Sequence, residues 1–409
     1  MLSRLSGLAE KIGADKFFGT ENLNYNSQKL RTDFYTIAHL FPYLNYDPRH
    51  KIFLNENSLS FLLEVSPIGG LEDSEIDSLS NLFSDLEEEI TVQVIQYASP
   101  MIKPILDNWY KQRNNKSEIF TALAKNRTEF LKHSNTQHLF SEPFVNRDFR
   151  IFIAVSYPFN KEANYDKLVA KYSTLTSKLT DIRNSFESQI KSMGSSCLIM
   201  NADSLIELVS EILNYGLNDK NITAKSKHNG INPISREIAN GAQSIEVFDN
   251  YLLLNNQIKA QTLTVKKYPA KWSQNMNNNL IGDFFKSSKK IGCPFIASYS
   301  FKIVSQENAK AKAAFKMVRA VKLAESPLAK FMPSAKSKAI DAIFLCDKLE
   351  EGNKLIESIH HICFFCHKNQ QSQGFEQAIK NIYAENGFEL VVEEQTQLLN
   401  FLASFPMLP

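Results

Sequence analysis

Apolar residues recur every three or four positions from Tyr165 to Met193, at Leu168, Val169, Tyr172, Leu175, Leu179, Ile182, Phe186 and Ile190. That is the longest periodic run in the chain and predicts a helix of about 28 residues with one apolar stripe. The same spacing predicts helices over 72–87, around Ile105–Gln112, 117–132, 202–213, 308–323, 335–355 and 374–385, with a short one over 396–404. In the 117–132 helix, Ser117 is the expected N-cap, and Ile119, Phe120, Leu123, Phe130 and Leu131 are expected to face inward. Leu2, Leu5, Leu8 and Ile12 mark one further short amphipathic helix at the N-terminus.

Elsewhere the period drops to two. Leu59, Phe61, Leu63 and Val65 share one face of a strand, and Asn55-Glu56-Asn57 before it reads as a hairpin turn. Strands are also expected at Ile90–Tyr97, Phe149–Val155, Cys197–Met200, within 244–267, at Phe295–Val304 and at Glu357–Phe365. The order strand-strand-helix-strand-helix at the start predicts a split βαβ arrangement. Residues 214–241 are polar and irregular and read as a loop or seam. The fold class is α+β, with two or more mixed α/β sandwich-like subdomains and a long amphipathic helix. The divisions expected are an N-terminal helical segment, 1–35, a first α+β subdomain, 36–145, and a second, larger α+β region, 146–395.

Composition narrows the function. Only 14 of 409 residues are glycine, about half the usual share, and phosphate-cradling loops depend on glycine. No Gly-x4-Gly-Lys-Ser/Thr or Gly-x-Gly-x-x-Gly occurs; Gly7, Gly13 and Gly19 are regularly spaced but lack the lysine. No nucleotide hydrolysis and no cofactor is expected of this stretch. Basic and acidic residues nearly cancel, 46 against 44, so no global drive toward nucleic acid or membrane exists. Five cysteines make no disulfide framework and suit a reducing compartment. No secretory leader and no membrane span is read from the sequence.

Charge is uneven locally. Between Lys310 and Lys338 stand eight basic residues and only Glu325. Lys312, Lys316 and Arg319 fall on one helical face, a candidate surface for nucleic acid, anionic lipid or an acidic partner. Acidic residues gather instead at Glu72–Asp77 and Asp85–Glu89. The apolar stripes through Leu2, Leu5 and Leu8, and through Leu168, Leu175 and Leu179, are candidate partner contacts. Cys363-Phe-Phe-Cys366-His367, preceded by His360-His361, has the types of metal or haem ligands. Its spacing within a β-like run places the two thiols on opposite faces, so a buried strand is the first expectation and a metal or redox site the alternative.

The run Phe41-Pro-Tyr-Leu-Asn-Tyr-Asp-Pro-Arg-His-Lys-Ile-Phe-Leu-Asn-Glu-Asn, continuing to Gly70, resembles the N-terminal region of the TraC-like conjugative-transfer ATPases of F-type type IV secretion systems. Ile119–Leu131, Arg147–Pro158 and Lys267-Tyr-Pro-Ala-Lys-Trp272 carry the resemblance along nearly the whole chain. It implies an α+β region preceding a RecA-like motor, with ATP and Mg²⁺ serving that motor and no RecA-like domain within these residues. By the same resemblance, 396–409 is the start of a linker to that motor. The resemblance also implies a cytoplasmic protein, peripheral at the inner face of the bacterial inner membrane. Other inner-membrane components of the system, further copies of the chain, and the motor in cis or in trans are the implied partners.

Overall fold

The computed structural model describes residues 37–408, apart from 68–71, 114–116, 135–145, 160–164, 218–226, 240, 270–276, 282–289 and 333. The N-terminal helix expected through Leu2, Leu5 and Leu8 lies outside the described residues.

Two stretches of chain build the same series of elements. The first runs β1 (Tyr43–Asp47), β2 (Ile52–Asn55), β3 (Ser58–Val65), α1 (Asp73–Ser84), β4 (Thr91–Ser99), α2 (Lys103–Lys111), α3 (Glu118–His133), β5 (Asp148–Pro158), α4 (Tyr165–Ser192), β6 (Cys197–Ile199) and α5 (Ala202–Leu213). A short helix, α6 (Ile234–Ile238), intervenes. The second runs β7 (Ile245–Val247), β8 (Leu252–Leu254), β9 (Ile258–Lys267), α7 (Asn277–Ile281), β10 (Phe295–Ile303), α8 (Gln306–Glu325), α9 (Ala335–Glu350), β11 (Ile356–His367), α10 (Ser372–Glu385), β12 (Glu389–Val392) and α11 (Gln397–Leu402). The elements correspond one for one, and the seam between the two stretches falls where the sequence turns polar and irregular.

All these strands join one antiparallel sheet, in the order β1-β2-β3-β5-β4-β10-β11-β9-β8-β7. In the first half β5 separates β3 from β4, with β6 added on the far side of β3; in the second, β11 separates β9 from β10, with β12 added to β9. Each half is therefore a split βαβ unit extended to the ferredoxin-like order. The halves meet along β4 and β10, paired from Thr91↔Lys302 to Ala98↔Phe295. The division expected at 145/146 runs between β4 and β5, which pair along all of β4, from Thr91↔Ser156 to Ser99↔Asp148. Local patterns predict each strand but carry no record of which strand is its neighbour.

The alternation along each strand feeds separate cores. Leu59, Phe61, Leu63 and Val65 pack with Phe186 and Ile190 of α4, as the period-two pattern predicts. Their neighbour Leu62 points the other way, into a core shared with Leu205 and Val209 of α5. A third core joins Ile362, Phe364 and Cys366 of β11 to Ile379 and Tyr383 of α10. Asn201 caps α5 by accepting from the Ser204 N–H at 2.9 Å, satisfying one of the helix's orphan donors.

Residues 396–408, expected to begin a linker, are part of the packed body. Phe401, Phe405 and Met407 are buried in the core beneath α5. Tyr43 Oη donates to Pro406 O at 2.6 Å, and Gln397 bonds the backbone of Thr262 in both directions. The linker was implied by the resemblance alone; in the structure Phe401 and Phe405, four residues apart, pack into the core against the sheet instead.

Candidate docking surfaces

The repeat places an extra pair of helices at the same point in each half, between the second and third strands of the unit. α2 and α3 leave from Ser99, beside Asp148 of β5, and α8 and α9 leave from Ile303, beside Ile356 of β11. Because β4 and β10 are antiparallel, the two helical pairs emerge from opposite ends of the sheet. In each pair the helices pack chiefly on one another.

Both pairs turn their bulk outward. In α3 the buried positions are Ala124 and Thr128, whereas Ile119 is 73% exposed and Phe120, Leu123 and Phe130 are also exposed. The sequence expectation that this stripe faces inward is corrected here; only Leu131 of that set is partly buried. Periodicity identifies an apolar stripe but not the surface that covers it. In the second pair Ala309 and Ala313 of α8 and Ala335 and Ala339 of α9 are buried. Phe315, Val318, Ile340 and Phe344 are exposed, and so is Phe331 of the connecting 3-10 turn Pro327–Phe331. A helical pair stabilised only by its own seam would place its largest apolar groups between the helices.

The second pair is fixed at its base by polar contacts. Gln306 Nε2 donates to Val304 O and to Leu355 O at 2.6 and 2.9 Å, while its Oε1 accepts from Leu355 N at 2.8 Å. The same residue's N–H donates to Glu88 Oε1. Gln306→Ala is expected to lower stability by about 1–2 kcal/mol and to raise amide exchange across α8 and α9 ahead of the sheet. Uniform exchange across both regions would show that Gln306 does not fasten the pair.

The candidate contact residues separate cleanly. Lys312, Lys316 and Arg319 are exposed on α8. Leu175 and Leu179 are buried in the chain's own core against β3, which corrects their candidacy as partner contacts: the sheet of the same chain already covers that stripe. The side chain of Leu168 lies outside the described residues.

Residues 37–409 match the family model described as TraC protein. The chain belongs to the TraC family. It is also similar to Protein TraC of Escherichia coli (strain K12), 22% identical over 390 residues, which span 91% of this chain and 43% of that protein. The chain therefore spans less than half the length of that relative.

In this TraC-family chain the Cys-x-x-Cys-His run does not converge. Cys363 faces the core with Phe365, Cys366 faces the opposite core with Phe364, and His367 is exposed at the strand end. Burial pushes the Cys363 thiol up to about 12 and also raises Cys366. Among the described residues no group of three His, Cys, Asp or Glu is placed to hold a metal ion. A shallow depression of about 350 Å³ is lined by Asn255, Asn256, Gln257, His367, Lys368 and Asn369.

The neighbouring histidines have consequences for stability. His361 is buried and lies 3.0 Å from Ser404 Oγ through Nε2, and His360 sits among Tyr299, Tyr383 and Phe388. Burial lowers His360 from 6.5 to about 4, and His361 to about 3. Folded, both stay neutral where the unfolded chain becomes protonated. The unfolded state binds more protons between pH 6.5 and about 4, so stability falls as pH drops through that window. The expected slope reaches about 1.4 kcal/mol per pH unit for each histidine. Glu211 and Asp148, raised by burial, oppose it in part. Urea unfolding at a series of pH values measures this, and His361→Gln should remove about half the slope; an unchanged slope would show that His361 is not its source.

One polar cluster had no local sequence signal. Arg150 grips Glu64 with two bonds, 2.7 and 3.0 Å, and lies 3.9 Å from Glu211, which accepts from Ser99 Oγ. The Arg150 guanidinium also lies over the Phe152 ring, 5.0 Å from its centroid. The cluster ties β3, β4, β5 and α5 together where α2 and α3 depart. Its members converge only through strand pairing.

Proposed function

We propose that this chain is the docking and assembly region of a TraC-like conjugative-transfer ATPase. It holds the motor at the cytoplasmic face of the inner membrane, in contact with other components of the secretion system and with further copies of itself. ATP and Mg²⁺ belong to the motor, and this region hydrolyses no nucleotide. Family membership supports the reading, together with the pair of helical projections whose apolar side chains lie open. The observation that carries it is the open apolar surface: Phe315, Phe331 and Phe344 are exposed, and such a surface is costly to leave in water.

Donor cells carrying an intact conjugation system provide the test. Expression of these 409 residues by themselves should lower transfer frequency by about tenfold or more, because a docking region expressed without a motor occupies the motor's place. Unchanged transfer at matched expression would overturn the docking reading. Nucleotide turnover by the purified chain, above that of a heat-denatured sample, would overturn the non-hydrolytic part.

A further inference from the structure

We propose that the α8–α9 hairpin docks on an anionic lipid bilayer, its turn and outer faces entering the headgroup layer. The inference rests on the docking reading above and names what one of the two projections meets. Three observations favour a bilayer.

The first is the combination of charge and apolar bulk. Lys310–Lys338 carries eight basic residues against Glu325, and within the same span Phe331 is 84% and Phe315 is 71% exposed. A surface that is anionic outside and apolar beneath satisfies both features together.

The second is distribution. Phe315 lies on the side of α8 away from its buried Ala309 and Ala313, and Phe344 lies on the side of α9 away from Ala335 and Ala339. With Phe331 and Met332 exposed at the turn, apolar side chains stand on both outer flanks and at the end. One flat protein surface covers a single flank, whereas a bilayer entered by the turn surrounds all three.

The third is reach. α8 has 20 residues, which at 1.5 Å each is about 30 Å. Neither α8 nor α9 packs extensively on a strand, so that length is free to carry the turn away from the sheet. No helix among the described residues is long and apolar enough to cross a membrane, so the contact is peripheral. Lysine stems lie along the apolar layer while their ammonium groups stay at the phosphates.

The test is flotation of the full 409-residue chain with vesicles of phosphatidylcholine alone and with 30% phosphatidylglycerol. The chain should float with the anionic vesicles at low salt, and 0.5 M salt should reduce the bound fraction severalfold. Two variants, Lys312→Glu/Lys316→Glu/Arg319→Glu and Phe331→Asp/Phe344→Asp, should each weaken binding at least tenfold. All five positions are exposed, and an unchanged circular dichroism spectrum and Tm confirm that the variants fold. Equal flotation with neutral vesicles, no flotation, or flotation that both variants leave intact would overturn the proposal. Sedimentation velocity without lipid separates one rival occupant: self-association lost in both variants, with no lipid binding by the parent chain, would assign the hairpin to a second copy. Loss of transfer interference together with intact vesicle binding would instead overturn the docking function while leaving the bilayer contact standing.

Discussion

Gln93→Leu is expected to destabilise the chain by about 3–5 kcal/mol while preserving side-chain volume. Gln93 lies in β4 at the centre of the sheet and is buried. Its Nε2 donates to Ala403 O at 2.9 Å and to Phe405 O at 3.0 Å, and its Oε1 accepts from Met407 N at 2.9 Å. One side chain thus satisfies three backbone groups of the segment after α11. Leucine leaves all three without that partner, and each orphaned buried group costs about 1–3 kcal/mol. Relaxation of the segment recovers part of the total. Equilibrium unfolding in urea measures the loss, and amide exchange at 403–407 should accelerate well before the rest of the sheet opens. Tyr43→Phe removes the hydrogen bond to Pro406 O and should cost about 1 kcal/mol alone. The two substitutions act on one segment, so the double variant should cost less than their sum. A Gln93→Leu loss below about 1 kcal/mol, with exchange at 403–407 unchanged, would mean that apolar packing of Phe401 and Phe405 alone fixes the segment.

The elements of this fold were largely legible because their periods are strong. The stripe from Tyr165 to Met193 forms α4 over Tyr165–Ser192, and the helix expected at 202–213 has those bounds. The strand through Leu59, Phe61, Leu63 and Val65 is β3, preceded by the expected hairpin turn. β12 and α7, at four and five residues, are too short for a period to register. The repeat was also hidden. Its halves share the order of elements and the pairing of strands, and both are long-range properties that local spacing does not encode. The Arg150–Glu64 pair, 86 residues apart in sequence, is invisible for the same reason.

Of the candidate surfaces, the basic face of Lys312, Lys316 and Arg319 is exposed as the charge pattern suggests, and the Cys363 and Cys366 thiols face opposite ways as a strand requires. The apolar stripes were the ambiguous class. A three-four repeat states that a helix needs cover and leaves open whether the same chain provides it. For α4 the sheet supplies the cover; for α3, α8 and α9 nothing among the described residues does.

That difference leads to the sharpest contrast between two apolar truncations in this chain. Leu179→Ala is expected to cost about 3 kcal/mol, because Leu179 is fully buried between α4 and the sheet and its removal leaves a cavity. Phe344→Ala removes a larger side chain, yet Phe344 is 61% exposed and the expected change is within about 0.5 kcal/mol. The loss of a cation–π contact with Lys348, 5.7 Å from the ring, is small at such exposure. Vesicle binding should respond in the opposite order, weakened by Phe344→Ala and untouched by Leu179→Ala under conditions where the variant remains folded. Urea midpoints and flotation on the same two proteins decide it. A large stability loss for Phe344→Ala would place that ring in a core rather than on an open surface, and a negligible loss for Leu179→Ala would return the α4 stripe to the list of partner contacts. The two outcomes are independent, so one pair of variants tests both assignments of what covers an apolar helix face.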